Sequence, residues 1–275
     1  MKEWIERKKL GVFVLLAYGI TWILALPLIL SHLGIISIAI PYSIHYLLPF
    51  GPLLAALIAT ILEDGTERVK GLLHRMVKWK IRPLWIGITL FSVWMMYIGS
   101  GLIIVAIGNP WPDINTFGQM QYLPYLNVIV AWLLWIGTYG LGEETGWRGF
   151  LLPYLQSKYN ALTSSLFLAL IWAGWHLPMF LYHENFIMMG PVGTIFWVIG
   201  LVFGSVLLTS LYNNTEGSIL LVAIWHGTYN LFTAAVGETA DLTAGIITMF
   251  VMVFVIAIIR RFGSENLSKY ERVSQ

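Results

Sequence analysis

The 275-residue sequence contains no cysteine, which excludes disulfides, thiolate metal centres and a cysteine nucleophile, and leaves the redox compartment unreadable. Charge is scarce as well: 11% of the residues are charged, against roughly a quarter in a soluble domain. Hydrophobic residues make up 58%, more than a soluble core can hide, and no long polar stretch separates the apolar runs. A single integral membrane domain over 1–275 is the economical reading, with no soluble domain left over and no nucleic-acid partner expected. Common hydrolase signatures are also missing. His183-Glu184 continues as Asn-Phe-Ile rather than reaching a second histidine, there is no G-x-S-x-G, and Asp64, Asp113 and Asp241 are expected in loops, which denies an intramembrane aspartate dyad.

What is present is a succession of apolar segments. A spanning helix needs about 20 apolar residues, and candidates fall near 11–30, 44–62, 84–107, 127–152, 161–182, 193–212, 218–236 and 243–259. The first follows a charged start but has full span length and no small-residue cleavage site, so it reads as a helix and not as a removable signal. Backbone groups in hydrocarbon must be satisfied internally. The fold class is therefore all-α, a polytopic bundle of about eight transmembrane helices, expected as a monomer in the lipid bilayer.

The 16 Lys and Arg residues all sort to one side of this eight-span chain: before the first span, between the second and third, around Arg148 and Lys158, and after the eighth. By the bias of basic residues toward cytoplasmic loops, both termini are expected in the cytoplasm. Short loops favour a prokaryotic cell membrane, with the endoplasmic reticulum membrane as the alternative. Residues 64–80 interleave Val69, Leu72, Leu73 and Met76 with Arg68, Lys70 and Arg75, the pattern of an amphipathic helix lying on the cytoplasmic membrane surface.

Ionisable groups inside a bilayer cost about 2.5–3.5 kcal/mol each on insertion scales. Here they are Glu143, Glu144 and Arg148 in the fourth span, His176 in the fifth and His226, with Asn230 one turn on, in the seventh. Glu144 and Arg148, four apart, can pair on one helix face, while glycines 140, 142, 146 and 149 suit close helix packing. Each histidine alone reads equally as a hydrogen-bonded interface residue. Together the set contains a base, acids and donors, the parts needed to hydrolyse an amide with water, and with the other protease chemistries missing, a glutamate acting on water with histidine remains. At ~1.5 Å per residue, Glu143, His226 and His176 come to depths of about 18, 12 and 23 Å, so convergence requires helix tilt or a bend, for which Pro178 is placed.

Glu143-Glu144-Thr-Gly-Trp-Arg148, Trp172-x-x-x-His176 and His226-x-x-x-Asn230 resemble, in order, the three motifs of the CAAX protease and bacteriocin-processing family, also called the Abi or Rce1-type intramembrane proteases. Tryptophan at 172 is a mild variation on phenylalanine. The resemblance covers 143–230. It implies that Glu143, with His176, activates water, that His226 and Asn230 hold the oxyanion, and that Glu144, Arg148 and Trp172 support them. It further implies a lipidated or membrane-associated protein substrate, of which prenylated proteins ending in C-a-a-X are the best known.

No cofactor is expected, although two histidines and a carboxylate are also a possible zinc ligand set. Two other functions use the same residues: a non-catalytic scaffold or bacteriocin-immunity protein, and an ion-coupled transporter, which calls for inverted repeats not found in the sequence.

Overall fold

A computed structural model describes residues 2–118, 126–234 and 237–275, and of 2–7 and 63–66 it describes the backbone alone. Among the described residues the regular elements are helices: α1 (Lys2–His32), α2 (Phe50–Met76), α3 (Pro83–Ala106), α4 (128–156), α5 (Ala161–Trp175), α6 (Glu184–Met188), α7 (Gly190–Asn214), α8 (Ile219–Thr233) and α9 (Ala240–Asn266). Six apolar helical segments, in α1, α2, α3, α5, α7 and α9, are long enough to cross a membrane, and α8 is a shorter apolar helix. With α4, which carries the buried charges, they make the polytopic helical bundle. Leu15, Ile23, Met95 and Val253 on α1, α3 and α9 are exposed, as side chains facing lipid are.

Several expected boundaries move. Residues 64–80 do not form a separate helix: α2 runs through to Met76 without a break, because Leu72 continues its buried face. Asp64 therefore belongs to α2 and Asp241 to the first turn of α9, not to loops, whereas Asp113 caps a short 3-10 turn. The eighth span extends to Asn266, with a break at Gly263, whose φ of 72° leaves the helical region. The seventh begins at Ile219, capped by the Ser218 hydroxyl, and ends at Thr233; residues 235–236 of its expected range lie outside the described residues, as do 119–125 of the loop before the fourth.

The connection after α2, the α7–α8 turn and the chain after α9 meet at one end of the bundle. Lys78 Nζ donates to the Glu216 carbonyl at 2.8 Å, Ser218 Oγ to the Lys78 carbonyl at 2.6 Å, and Arg272 Nε to the Gln156 carbonyl at 2.8 Å. Basic residues thus gather at this end, but Arg148 does not join them. It is fully buried inside α4.

Two helices depart from regular α geometry where they carry site residues. α5 stops at Trp175 and continues as a 3-10 turn over Leu177–Leu181, because Pro178 has no N–H for the Gly174 carbonyl and its ring crowds that turn. His176 sits at the junction. α4 is π-helical over Ile136–Glu143 and Trp147–Leu151, with one α turn, Glu144–Gly146, between. Such π segments concentrate at functional sites. Small residues let this helix lie against its neighbours backbone to backbone: a Cβ on Gly140 would fall 2.5 Å from the Ala223 carbonyl oxygen of α8, and one on Gly146 would fall 2.7 Å from the Pro52 oxygen of α2.

Candidate active site

The site forms where α4, α5 and α8 meet. Trp172 on α5 is its hub. Its indole Nε1 donates to Glu143 Oε2 at 2.5 Å, its carbonyl accepts from His176 Nδ1 at 2.8 Å, and its ring stands edge-on to His226 with centroids 5.5 Å apart. The Arg148 guanidinium lies 5.0 Å from the same ring, a cation–π contact strengthened by burial. One residue therefore ties together both histidines, one carboxylate and the arginine, although Glu143 and His176 share no hydrogen bond themselves.

The two adjacent carboxylates, both buried, have different partners. Glu144 meets a guanidinium and an imidazole: Arg148 Nη1 donates to both its oxygens at 3.0 Å, and His226 Nδ1 donates to Oε1 at 2.7 Å. Arg148 also reaches the Ser205 carbonyl of α7 at 3.4 Å. Glu143 instead meets two neutral donors, Trp172 Nε1 and, at 3.2 Å, Trp147 Nε1, both on Oε2. Its Oε1 has no hydrogen-bond partner among the described residues. The expected ion pair of Glu144 and Arg148 is thus present, and it extends to His226, which the sequence had not paired with Glu144.

The hydrogen bonds also settle the faces of the histidines. A carbonyl and an ionised carboxylate only accept, so Nδ1 of both His176 and His226 carries hydrogen, and Nε2 of each makes no hydrogen bond among the described residues. Asn230, one turn beyond His226, is half-buried and its side-chain amide makes no hydrogen bond to Glu143, His176 or His226. Beside His176, Phe186 stacks at 5.9 Å and Trp197 of α7 stands edge-on at 5.1 Å; with Phe180 they form an aromatic wall. Among the described residues no three His, Cys, Asp or Glu side chains are grouped as a metal site.

Residues 125–232, which contain all of these groups, match the family model described as type II CAAX prenyl endopeptidase Rce1-like. Over these residues the chain is similar to the Rce1-like family. It is also similar to CAAX prenyl protease 2 of Methanococcus maripaludis, with 26% identity over 217 residues that cover 75% of this chain and 79% of that protein.

Three features of the site escaped the sequence. Trp147 contacts Glu143 from i+4, a spacing that was readable. The partnership of Glu144 with His226 depends on how α8 docks, and the Ser205 carbonyl on how α7 does, neither of which has a local signal.

Proposed function

We propose that the protein is an intramembrane endopeptidase that hydrolyses a peptide bond near the C-terminus of a prenylated CAAX-type or other membrane-associated protein, using Glu143 as general base. The observation that carries this reading is the buried Glu143 carboxylate, held on one oxygen by indoles, open on the other, and linked through Trp172 to His176. A water at Oε1 gives its proton to Glu143 and attacks the carbonyl carbon; the C–N bond then breaks as that proton passes to the departing amine. His176 Nε2, with its lone pair, takes the far side of the water.

The tetrahedral oxygen falls to the open Asn230 amide and to His226, whose Nε2 donates when the ring holds a second proton, since Nδ1–H is engaged with Glu144. Preorganised donors of this kind supply much of the barrier lowering in acyl transfer. Glu144 and Arg148 support the site by holding His226 and Trp172. The step requires no metal in this reading.

The name of the archaeal relative supports a prenylated substrate, and the aromatic wall of Phe180, Phe186 and Trp197 suits an apolar chain delivered from lipid. We assign the end where the basic residues gather to the cytoplasm, with both termini there, in a prokaryotic cell membrane, and treat the protein as a monomer. The test is cleavage of a farnesylated C-terminal peptide by purified protein in liposomes, comparing wild type with Glu143→Ala and His226→Ala. Cleavage by wild type alone is expected; a folded wild type that cleaves no lipidated or membrane peptide contradicts the proposal.

A further inference from the structure

Trp147 occupies one of the unspecified positions of the Glu-Glu-x-x-x-Arg pattern, and nothing in that pattern gives it work. In the structure its Nε1 and that of Trp172 both donate to the same atom, Glu143 Oε2, at 3.2 and 2.5 Å. An ionised carboxylate oxygen has about two lone-pair sites, so Oε2 is saturated while Oε1 has no hydrogen-bond partner among the described residues. Indole N–H groups are donors only and do not exchange their proton in the working range of a carboxylate. They hold the oxygen without competing for the proton that moves.

We infer that Trp147 is a positioning residue, which together with Trp172 clamps Glu143 Oε2 and assigns the base function to Oε1. This rests on the reading of Glu143 as the base. The acceptor oxygen is fixed from two helices, α4 and α5, so the carboxylate plane cannot rotate without breaking one of the two hydrogen bonds. Misplacing a reacting group by about 1 Å can cost a hundredfold in rate, which gives such a clamp a purpose beyond packing.

Trp147 is itself locked. Its ring, fully buried, stands edge-on to Phe13 of α1 and to Trp175 of α5, each with centroids 5.9 Å away. Trp175 in turn donates from Nε1 to Thr21 Oγ1 of α1 at 2.8 Å, and Thr21 donates to the Leu48 carbonyl at 3.1 Å. The first helix, which lies outside the matched residues 125–232, thereby sets the position of a donor to the catalytic carboxylate.

The test combines kinetics with a readout that does not depend on turnover. Trp147→Phe keeps the ring between Phe13 and Trp175 and removes only the N–H. One hydrogen bond to a charged acceptor is lost, so kcat on the farnesylated peptide is expected to fall about tenfold, with KM within about twofold and the melting temperature nearly unchanged. Trp172→Phe, at the shorter distance, is expected to lose more. Independently, with 15N-indole-labelled protein, Glu143→Ala is expected to move the Nε1–H resonances of both Trp147 and Trp172 upfield. A wild-type kcat in Trp147→Phe, or a parallel fall of kcat, KM and melting temperature as from damaged packing, overturns the inference. So do indole resonances unmoved by Glu143→Ala. If wild type cleaves nothing, the proposed function fails, while the resonances still decide whether the clamp exists.

Discussion

Glu143 and Glu144 are neighbours in sequence, equally buried, and chemically identical, yet the two halves of the site around them are built differently. The Glu144 half is engaged on both oxygens: Arg148 covers both and His226 adds a third contact. The Glu143 half has neutral donors on one oxygen and an open position on the other. The difference separates structure from chemistry. A carboxylate held on both oxygens by a guanidinium and an imidazole suits an anchor, whereas one held on a single oxygen by neutral indoles is fixed in place and still available.

That contrast can be broken or sharpened by substitution. The largest effect is expected for Glu143→Gln, which removes the proposed base but keeps the indole contacts: kcat should fall by about 10²–10⁴ while the melting temperature in detergent stays near wild type. Arg148→Leu attacks the other half. Breaking a buried pair leaves an uncompensated charge and costs about 3–5 kcal/mol, so thermal unfolding should show a large loss of stability, and a wild-type melt contradicts the anchoring role. Asn230→Ala, outside both halves, should lower kcat by about 10²–10³ if its open amide holds the oxyanion, with no stability change; unchanged kcat removes it from that role.

Gly146→Ala should cost about 1–3 kcal/mol through overpacking, since its Cβ would enter the Pro52 backbone of α2; a stable variant with wild-type turnover would show that α4 has room to shift. The smallest effect is expected from chelation. Exhaustive chelator treatment should leave peptide cleavage unchanged, whereas loss restored by added zinc replaces the metal-free reading.

Much of this was legible in the sequence for physical reasons. Apolar run length located the helices because hydrocarbon admits little else. Motif spacing placed Trp172 and His176, and His226 and Asn230, on shared faces because side chains four apart on a helix are neighbours. The same spacing made the Glu144–Arg148 pair readable.

What the sequence left hidden has a common cause in geometry that is not ideal α. Straight helices counted at constant rise put Glu143, His176 and His226 at different depths. The structure unites them through a helix that ends at Trp175 before Pro178 and a fourth helix with two π segments. In an ideal helix adjacent residues diverge by about 100°, which suggests that only one of Glu143 and Glu144 faces the interior. Both do, because α4 is enclosed, with α5 meeting Glu143 and α8 meeting Glu144. The continuation of α2 through residues 64–76 was hidden for a different reason: exposed basic residues such as Arg68 and Lys70, alternating with Leu72, resemble an independent surface helix even when the helix is continuous.

The most direct measurement is a crossed comparison of Glu143→Gln and Glu144→Gln, with peptide cleavage in liposomes and thermal unfolding followed on the same preparations. The predicted result is an inversion: Glu143→Gln folded and stable but without turnover, Glu144→Gln clearly destabilised with residual turnover in the fraction that remains folded. Equal destabilisation by both, or a Glu143→Gln protein that still cleaves the farnesylated peptide at the wild-type rate, contradicts the account.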